Sequence, residues 1–216
     1  MKKSMLLAHR AAKRLLGPLL WRETYRCLTL PWKQAQAAAA SAGPAVAVEV
    51  RQLPRAELRQ YSRDPGYEIS QRFLEGVAER DDLCFGAFVE GNLASYRFFA
   101  REPTAIDAHL RFHFPMHWIY AYKAFTHPLW RGKRLHRELF LRSVPQLRQW
   151  RKDSLEPHGV VTLVMSDNPA SATALGRVGF SPCDSFSVIR IGSRPRWVSP
   201  PTDAAKGFYI ESKEAP

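Results

Sequence analysis

The stretch Thr126-His-Pro-Leu-Trp-Arg-Gly-Lys-Arg-Leu-His-Arg-Glu-Leu-Phe140 decides the fold. It follows an aromatic, β-rich run from Trp118 to Thr126, which His127-Pro128 stops. It opens a segment, Lys133 to Trp150, of helical composition apart from Pro145, which should kink or divide the helix. A loop passing from a strand into a helix start presents backbone N–H groups that have no partner inside the helix. Together with the helix dipole these bind phosphate. Arg131, Lys133 and Arg134 add charge there. The plainer alternative is a solvated helix start.

Working outward, Gly159 to Met165 is a compact apolar strand of the kind buried on both faces. A helix from Pro169 to Val178 and a last strand from Phe186 to Ile191 follow. Upstream, Val46, Val48 and Val50 alternate as a first strand, Pro54 starts a helix, and Tyr67 to Arg80 can form a second. Leu83 to Val89 and Leu93 to Phe99 read as a hairpin about Glu-Gly-Asn. The order is strand, helices, hairpin, strand, phosphate loop, helix, strand, helix, strand.

Two motifs in that order resemble the GNAT superfamily of N-acetyltransferases. Thr126 to Phe140 is similar to its acyl-CoA-binding strand, loop and helix, whose pattern is Arg-Gly-x-Gly-x-Gly after a Pro. Asn168-Pro-Ala-Ser171 followed by Gly179-Phe180 is similar to its later motif. The longer string Tyr122 to His136 resembles a bacterial subgroup found beside surface-polysaccharide genes. The resemblance covers roughly residues 44 to 192. It implies a mixed α/β fold: a central, mostly antiparallel sheet flanked by helices, with a V-shaped split between the strands before and after the acyl-CoA loop. It further implies transfer of an acetyl or other acyl group from acyl-CoA to the primary amine of a small molecule, an amino sugar among the open acceptors. The strand at Phe125 and Thr126 would pair with pantetheine. The backbone of Arg131, Gly132, Lys133, Arg134, Leu135 and His136 would cradle the diphosphate, and Asn168 and Ser171 would meet the pantetheine arm.

Arg134 and His136 stand where the family pattern has glycine, and glycine or alanine, the positions that let backbone approach a diphosphate. Two donors therefore stay open: coenzyme A, with Arg134 neutralising phosphate, or an acyl carrier protein, whose pantetheine carries one phosphate. The family's usual catalytic Glu and Tyr are also missing. No carboxylate lies between Asp107 and Glu138, Tyr120 stands where the base is expected, and Leu175 occupies the later Tyr position. Proximity or an imidazole base must serve instead. His127, at the junction of strand and loop, is the candidate base or orienting group, with strand capping as the alternative. Tyr120 and Tyr122 would close the acceptor pocket or protonate the thiolate, unless they are core. A scaffold that holds pantetheine without turnover also fits the missing pair. His109, His113 and His117 recur every four residues, but no neighbouring Cys or carboxylate completes a metal site, and none is expected.

Composition bounds the rest. The 216 residues carry a formal charge of +12, which favours a polyanionic partner: nucleotide phosphate, nucleic acid, anionic lipid or an acidic carrier protein. No motif that reads RNA or DNA is present. Cys27, Cys84 and Cys183 suggest neither a disulfide framework nor zinc, so a reducing cytoplasm fits. Residues 1–43 read as a basic amphipathic appendage and linker, in which residues 1–22 either pack on the domain or touch an anionic membrane from its inner face. Residues 44–192 read as the acyltransferase domain and 193–216 as an irregular tail.

Overall fold

A computed structural model describes residues 20–42, 48–150 and 156–213. The chain begins there with β1 (Leu20–Pro31), followed by α1 (Trp32–Ala40), β2 (Glu49–Gln52), α2 (Arg55–Tyr61) and α3 (Gln71–Glu79). Next come β3 (Leu83–Val89), β4 (Asn92–Ala100), β5 (Thr104–Ala105), β6 (Leu110–His113) and β7 (Trp118–Thr126). The chain closes with α4 (Leu135–Gln149), β8 (Gly159–Met165), α5 (Pro169–Gly176), β9 (Ser181–Ile191), β10 (Arg194–Val198) and β11 (Tyr209–Ser212).

Eight strands form the main sheet in the order β10-β9-β1-β8-β7-β4-β3-β2. Every pairing in it is antiparallel except β7 with β8. The β3–β4 hairpin turns at Glu90 and Gly91, both at positive φ (52° and 77°), the two-residue geometry whose twist matches its strands. One sheet face packs α2, α3 and a small β11-β6-β5 sheet through Leu58, Leu74, Phe112 and Ile210. The other packs α1, α4 and α5 through Trp32, Leu139, Phe140 and Leu175. The mixed, mostly antiparallel sheet with helices on both faces is the architecture expected from the sequence.

The expected organisation of the termini does not hold. Leu20–Pro31 is no appendage: β1 lies inside the sheet, antiparallel to β8 from Tyr25 to Pro31 and to β9 from Leu20 to Thr29. Cys27, Leu28 and Leu30 are buried, and the segment expected as a linker carries α1. The basic amphipathic helix, and all but residues 20–22 of the 1–22 segment expected to touch a membrane, lie outside the described residues. The tail is not irregular either: β10 extends the sheet at β9, and β11 pairs with β6 through Tyr209↔His113 to Ser212↔Leu110. Pro145 does not divide α4, which runs unbroken through it, held on both sides of the proline by buried Val144 and Leu147. Among the described residues no helix is long and apolar enough to cross a membrane.

Placing β1 between two partners makes a direct prediction. Deleting residues 1–31 would strip backbone partners from β8 and β9 and expose two apolar strand edges. We expect that deletion to yield aggregated protein without a cooperative thermal transition by circular dichroism. A soluble product with the native melting curve would show that β1 is dispensable.

Candidate active site

The site forms where the sheet splits. Strands β7 and β8 pair only through Trp118↔Gly159, Ile119↔Val160 and Tyr120↔Val161. Beyond Tyr120 they diverge, leaving the β7 edge from Tyr122 to Thr126 without a strand partner on that side among the described residues. On its other side β7 stays tied to β4, where Ser95 Oγ donates to the Phe125 carbonyl at 2.6 Å and lies 3.0 Å from Thr126 Oγ1. Two residues of β7, Lys123 and Ala124, lie opposite the single Arg97 of β4. This bulge puts Lys123 at φ 46° and re-aims the end of β7 into the split.

From that end the chain turns through a short 3₁₀ segment, Pro128–Trp130, into α4. The amides of Gly132, Lys133, Arg134, Leu135 and His136 donate to no acceptor among the described residues; the next two, Arg137 and Glu138, both donate to the Arg134 carbonyl. A row of open N–H groups at the start of a 15-residue helix is an anion cradle. Gly132 takes φ +86° with open space where a Cβ would stand. Arg134, at the position where the family pattern has glycine, adopts the left-handed conformation itself, with φ 58° and ψ 18°. The backbone shape that glycine would supply is thus kept, at a cost of about 1 kcal/mol. Arg131 Nε donates to the Thr126 carbonyl at 3.1 Å, and Lys133 Nζ sits 4.4 Å from the Trp130 ring centroid.

His136, the other departure, is explained by a residue that the sequence reading passed over. Arg97 is 2% exposed, and its Nη2 hydrogen-bonds His136 Nε2. Its Nε and Nη1 have no partner among the described residues. No carboxylate among them neutralises it, and burial lowers its pKa from the usual arginine value to about 9. Its charge sits directly behind the first turn of α4 and adds to the positive potential of the cradle. Burial first, and then Arg97, push His136 well below the ordinary imidazole range, so it is neutral and accepts from Arg97. The signal was legible: Arg97 is the lone charge in the apolar run Leu93 to Ala100.

The other expected site residues separate into two groups. Phe125, Thr126 and His127 stand at the lip of the split. The His127 ring lies 5.9 Å from that of Tyr67, and its Nδ1 receives the Leu129 N–H at 3.4 Å. Asn168 caps α5, its side chain accepting from Ser171 N at 3.1 Å, so the pair is a helix start. Tyr122 is withdrawn from the cleft: its hydroxyl donates to buried Asp82 at 2.6 Å, and Arg80 clamps the same carboxylate oxygen. Tyr120 stacks on Tyr122 with ring centroids 5.3 Å apart and packs on Phe112; its hydroxyl has no hydrogen-bond partner among the described residues. Burial raises the pKa of both phenols, which keep their protons. His113 stacks on Tyr209 and bonds Glu211, while His117 lies beside His158, so these two of the three spaced histidines take separate partners.

No family model and no curated protein matches the sequence. Solved structures do match. A Drosophila protein aligns over 85% of this chain and 57% of its own length, at 13% identity and a TM-score of 0.54. A GCN5-related N-acetyltransferase-like protein from Streptococcus suis aligns over 85% of this chain and 67% of its own, at 9% identity and a TM-score of 0.52. A protein named for the GNAT acetyltransferase family, from Novosphingobium aromaticivorans, aligns over 79% and 65%, at 9% identity and a TM-score of 0.50. The chain spans only 57% and 65% of the first two neighbours it matches. At these identities the likeness is one of fold: the chain has the fold of the GNAT acetyltransferases.

The His136–Arg97 pair carries a pH signature. The unfolded chain takes up the imidazole proton near pH 6.5 and the folded chain only well below it. The pair's contribution to stability is therefore complete above about pH 6.5 and is lost as the pH falls through the depressed folded value. His136→Gln can still accept from Arg97 but cannot titrate. Urea midpoints at pH 7.5 and pH 5.0 should show the native protein losing more stability than this variant, and an equal loss in both would refute the assignment.

Proposed function

We propose that the protein transfers an acetyl or other short acyl group from acyl-CoA to the primary amine of a small molecule, with amino sugars the favoured acceptor class. The observation that carries this reading is the junction of an open strand edge and an anion cradle at one end of the β7/β8 split. Pantetheine is an amide-bearing arm about as long as a short strand, and the free edge of β7 offers it backbone pairing. The diphosphate at its far end calls for clustered N–H donors and positive charge, which the Gly132–His136 amides and buried Arg97 provide. An acyl carrier protein would bring only one phosphate, so a cradle of this extent favours coenzyme A as donor.

In this reading the thioester lies across the split, and the amine lone pair attacks its carbonyl carbon. A C–N bond forms, the C–S bond breaks, and the ammonium proton must leave while the thiolate gains one. Holding both reactants together supplies about 7 kcal/mol or more of the barrier reduction. The chain then needs little more than a proton route. His127 stands at the lip of the split, where its imidazole would take the ammonium proton as base, and the same proton can then pass to the leaving thiolate.

Isothermal titration with acetyl-CoA tests the donor. The native protein should bind at micromolar affinity, and Gly132→Trp combined with Arg131→Ala should abolish the heat. Absence of binding to folded native protein would sink the coenzyme A reading. For the proton route, His127→Gln should lower thiol release in the presence of an accepted amine by about 100-fold and leave the acetyl-CoA isotherm unchanged. Unaltered turnover would remove His127 from the chemistry.

A further inference from the structure

Two cysteines 156 residues apart in the chain meet in the main sheet, where Cys183 Sγ lies 3.3 Å from Cys27 Sγ. Cys27 sits on β1 and is fully buried, whereas Cys183 sits on β9 and is partly exposed. A regular ladder would send them to opposite faces, because Cys27 pairs with Asp184 and side chains alternate along a strand. The register shifts at this point. Asp184 faces Cys27 and Pro182 faces Leu28, which leaves Cys183 as the extra residue of a β-bulge. The bulge turns its side chain onto the face of Cys27, against the core that also holds Tyr120, Val161 and Phe186. The third cysteine, Cys84, is buried on β3 with its sulfur on the Phe85 carbonyl.

The two thiols are unequal. Contact with Cys183, and then burial, hold the Cys27 thiol well above its ordinary range. The same contact, with Thr29 behind it, draws the Cys183 thiol down against the effect of burial. A thiol that ionises the more readily, at a partly exposed position and in contact with a second thiol, has the surroundings of a peroxide-reactive cysteine beside its resolving partner. Neighbouring antiparallel strands stand about 5 Å apart, inside the range of Cα separations that a disulfide bridges. The sulfurs can therefore close to bonding distance by side-chain rotation, with both strands left in place.

We propose that Cys27 and Cys183 form a reversible oxidation site, closed to a disulfide by a hydroperoxide and reopened by a dithiol. Cys183 Sγ, as thiolate, attacks one peroxide oxygen. The O–O bond breaks, the sulfur becomes a sulfenic acid, and the other oxygen takes up the proton that Cys183 gave up, leaving as water where the oxidant is hydrogen peroxide. Cys27 Sγ then attacks the Cys183 sulfur: the S–S bond forms, the S–O bond breaks, and hydroxide departs with the Cys27 proton as a second water. Two thiols have lost two hydrogens, and one peroxide has become two waters. On its other edge β1 sets Cys27 opposite Leu163, in the half of β8 that has already left β7. The oxidised form thus ties β1 to β9 covalently along the far wall of the split. The site is independent of the acyl-transfer reading.

The full chain, reduced and then exposed while folded to a small excess of hydrogen peroxide, is denatured, alkylated, digested with trypsin and weighed by mass spectrometry. The intact product should be lighter by two hydrogens, with Cys84 alone alkylated and residues 27–33 joined to residues 178–190. Dithiothreitol added before alkylation should separate the two peptides and return both thiols. Cys183→Ser should consume peroxide at least about 10-fold more slowly than the native protein. An unchanged mass, joined peptides that contain Cys84, Cys183 carried on to sulfinic acid with Cys27 still a thiol, or undiminished peroxide consumption by folded Cys183→Ser would each overturn the proposal. The peptide map is read on the native chain, so it decides the matter whether or not the variant folds.

Discussion

Everything at the site depends on how little of β7 and β8 is paired. Three residue pairs hold these parallel strands together, and the close approach that makes them possible is fixed by Gly159. A Cβ on that residue would lie 2.5 Å from the Leu30 carbonyl oxygen and 2.6 Å from the Trp118 ring. Both contacts are far inside van der Waals distance, and one is backbone that cannot move aside. Glycine lets β1, β7 and β8 converge at one end, so the strands can diverge at the other without leaving a void. The bulge at Lys123 and Ala124 then lengthens β7 on its way out of the sheet. Closed root and open mouth are two ends of one geometric device.

Strand β1 braces that device. By pairing with both β8 and β9, β1 buttresses the far side of the split, and its buried residues Cys27, Leu28 and Leu30 join both core clusters. Its other half, Trp21 to Tyr25, lies beside Arg190, which bonds both Glu23 and Asp107. One strand therefore couples the width of the split to the placement of the charged cluster, since Arg190 on β9 lies directly opposite Trp21. A strand paired along both edges fixes the two sides of the split on one rigid frame.

Much of the fold was legible because its signals are local. Glu90-Gly91 demands a tight turn, Gly159 to Met165 is too short and too apolar for anything but a buried strand, and Arg131-Gly132 announces a loop. What was hidden lies in long-range pairing. Leu20–Pro31 carries Arg22, Glu23 and Arg26 and ends in Pro, so it lacks the clean alternation of a half-buried strand. Glu23 sits there beside Arg190, 167 residues away. The tail strand at Tyr209 is likewise specified by β6, and no window of sequence contains both. At the site, the loop conformation survived two apparent violations of the glycine pattern for physical reasons. Arg134 accepts a left-handed backbone, and His136 is matched by Arg97 from a strand 39 residues earlier. Motif reading sees the missing glycines and not their compensation.

The charge distribution then acquires a meaning that net charge alone does not have. Open amides, surface Arg and Lys, and a buried Arg97 with no carboxylate partner among the described residues gather at the loop. The helix-start dipoles and the side-chain charges act in the same direction there, so an anion at the start of α4 would meet a potential that neither produces alone.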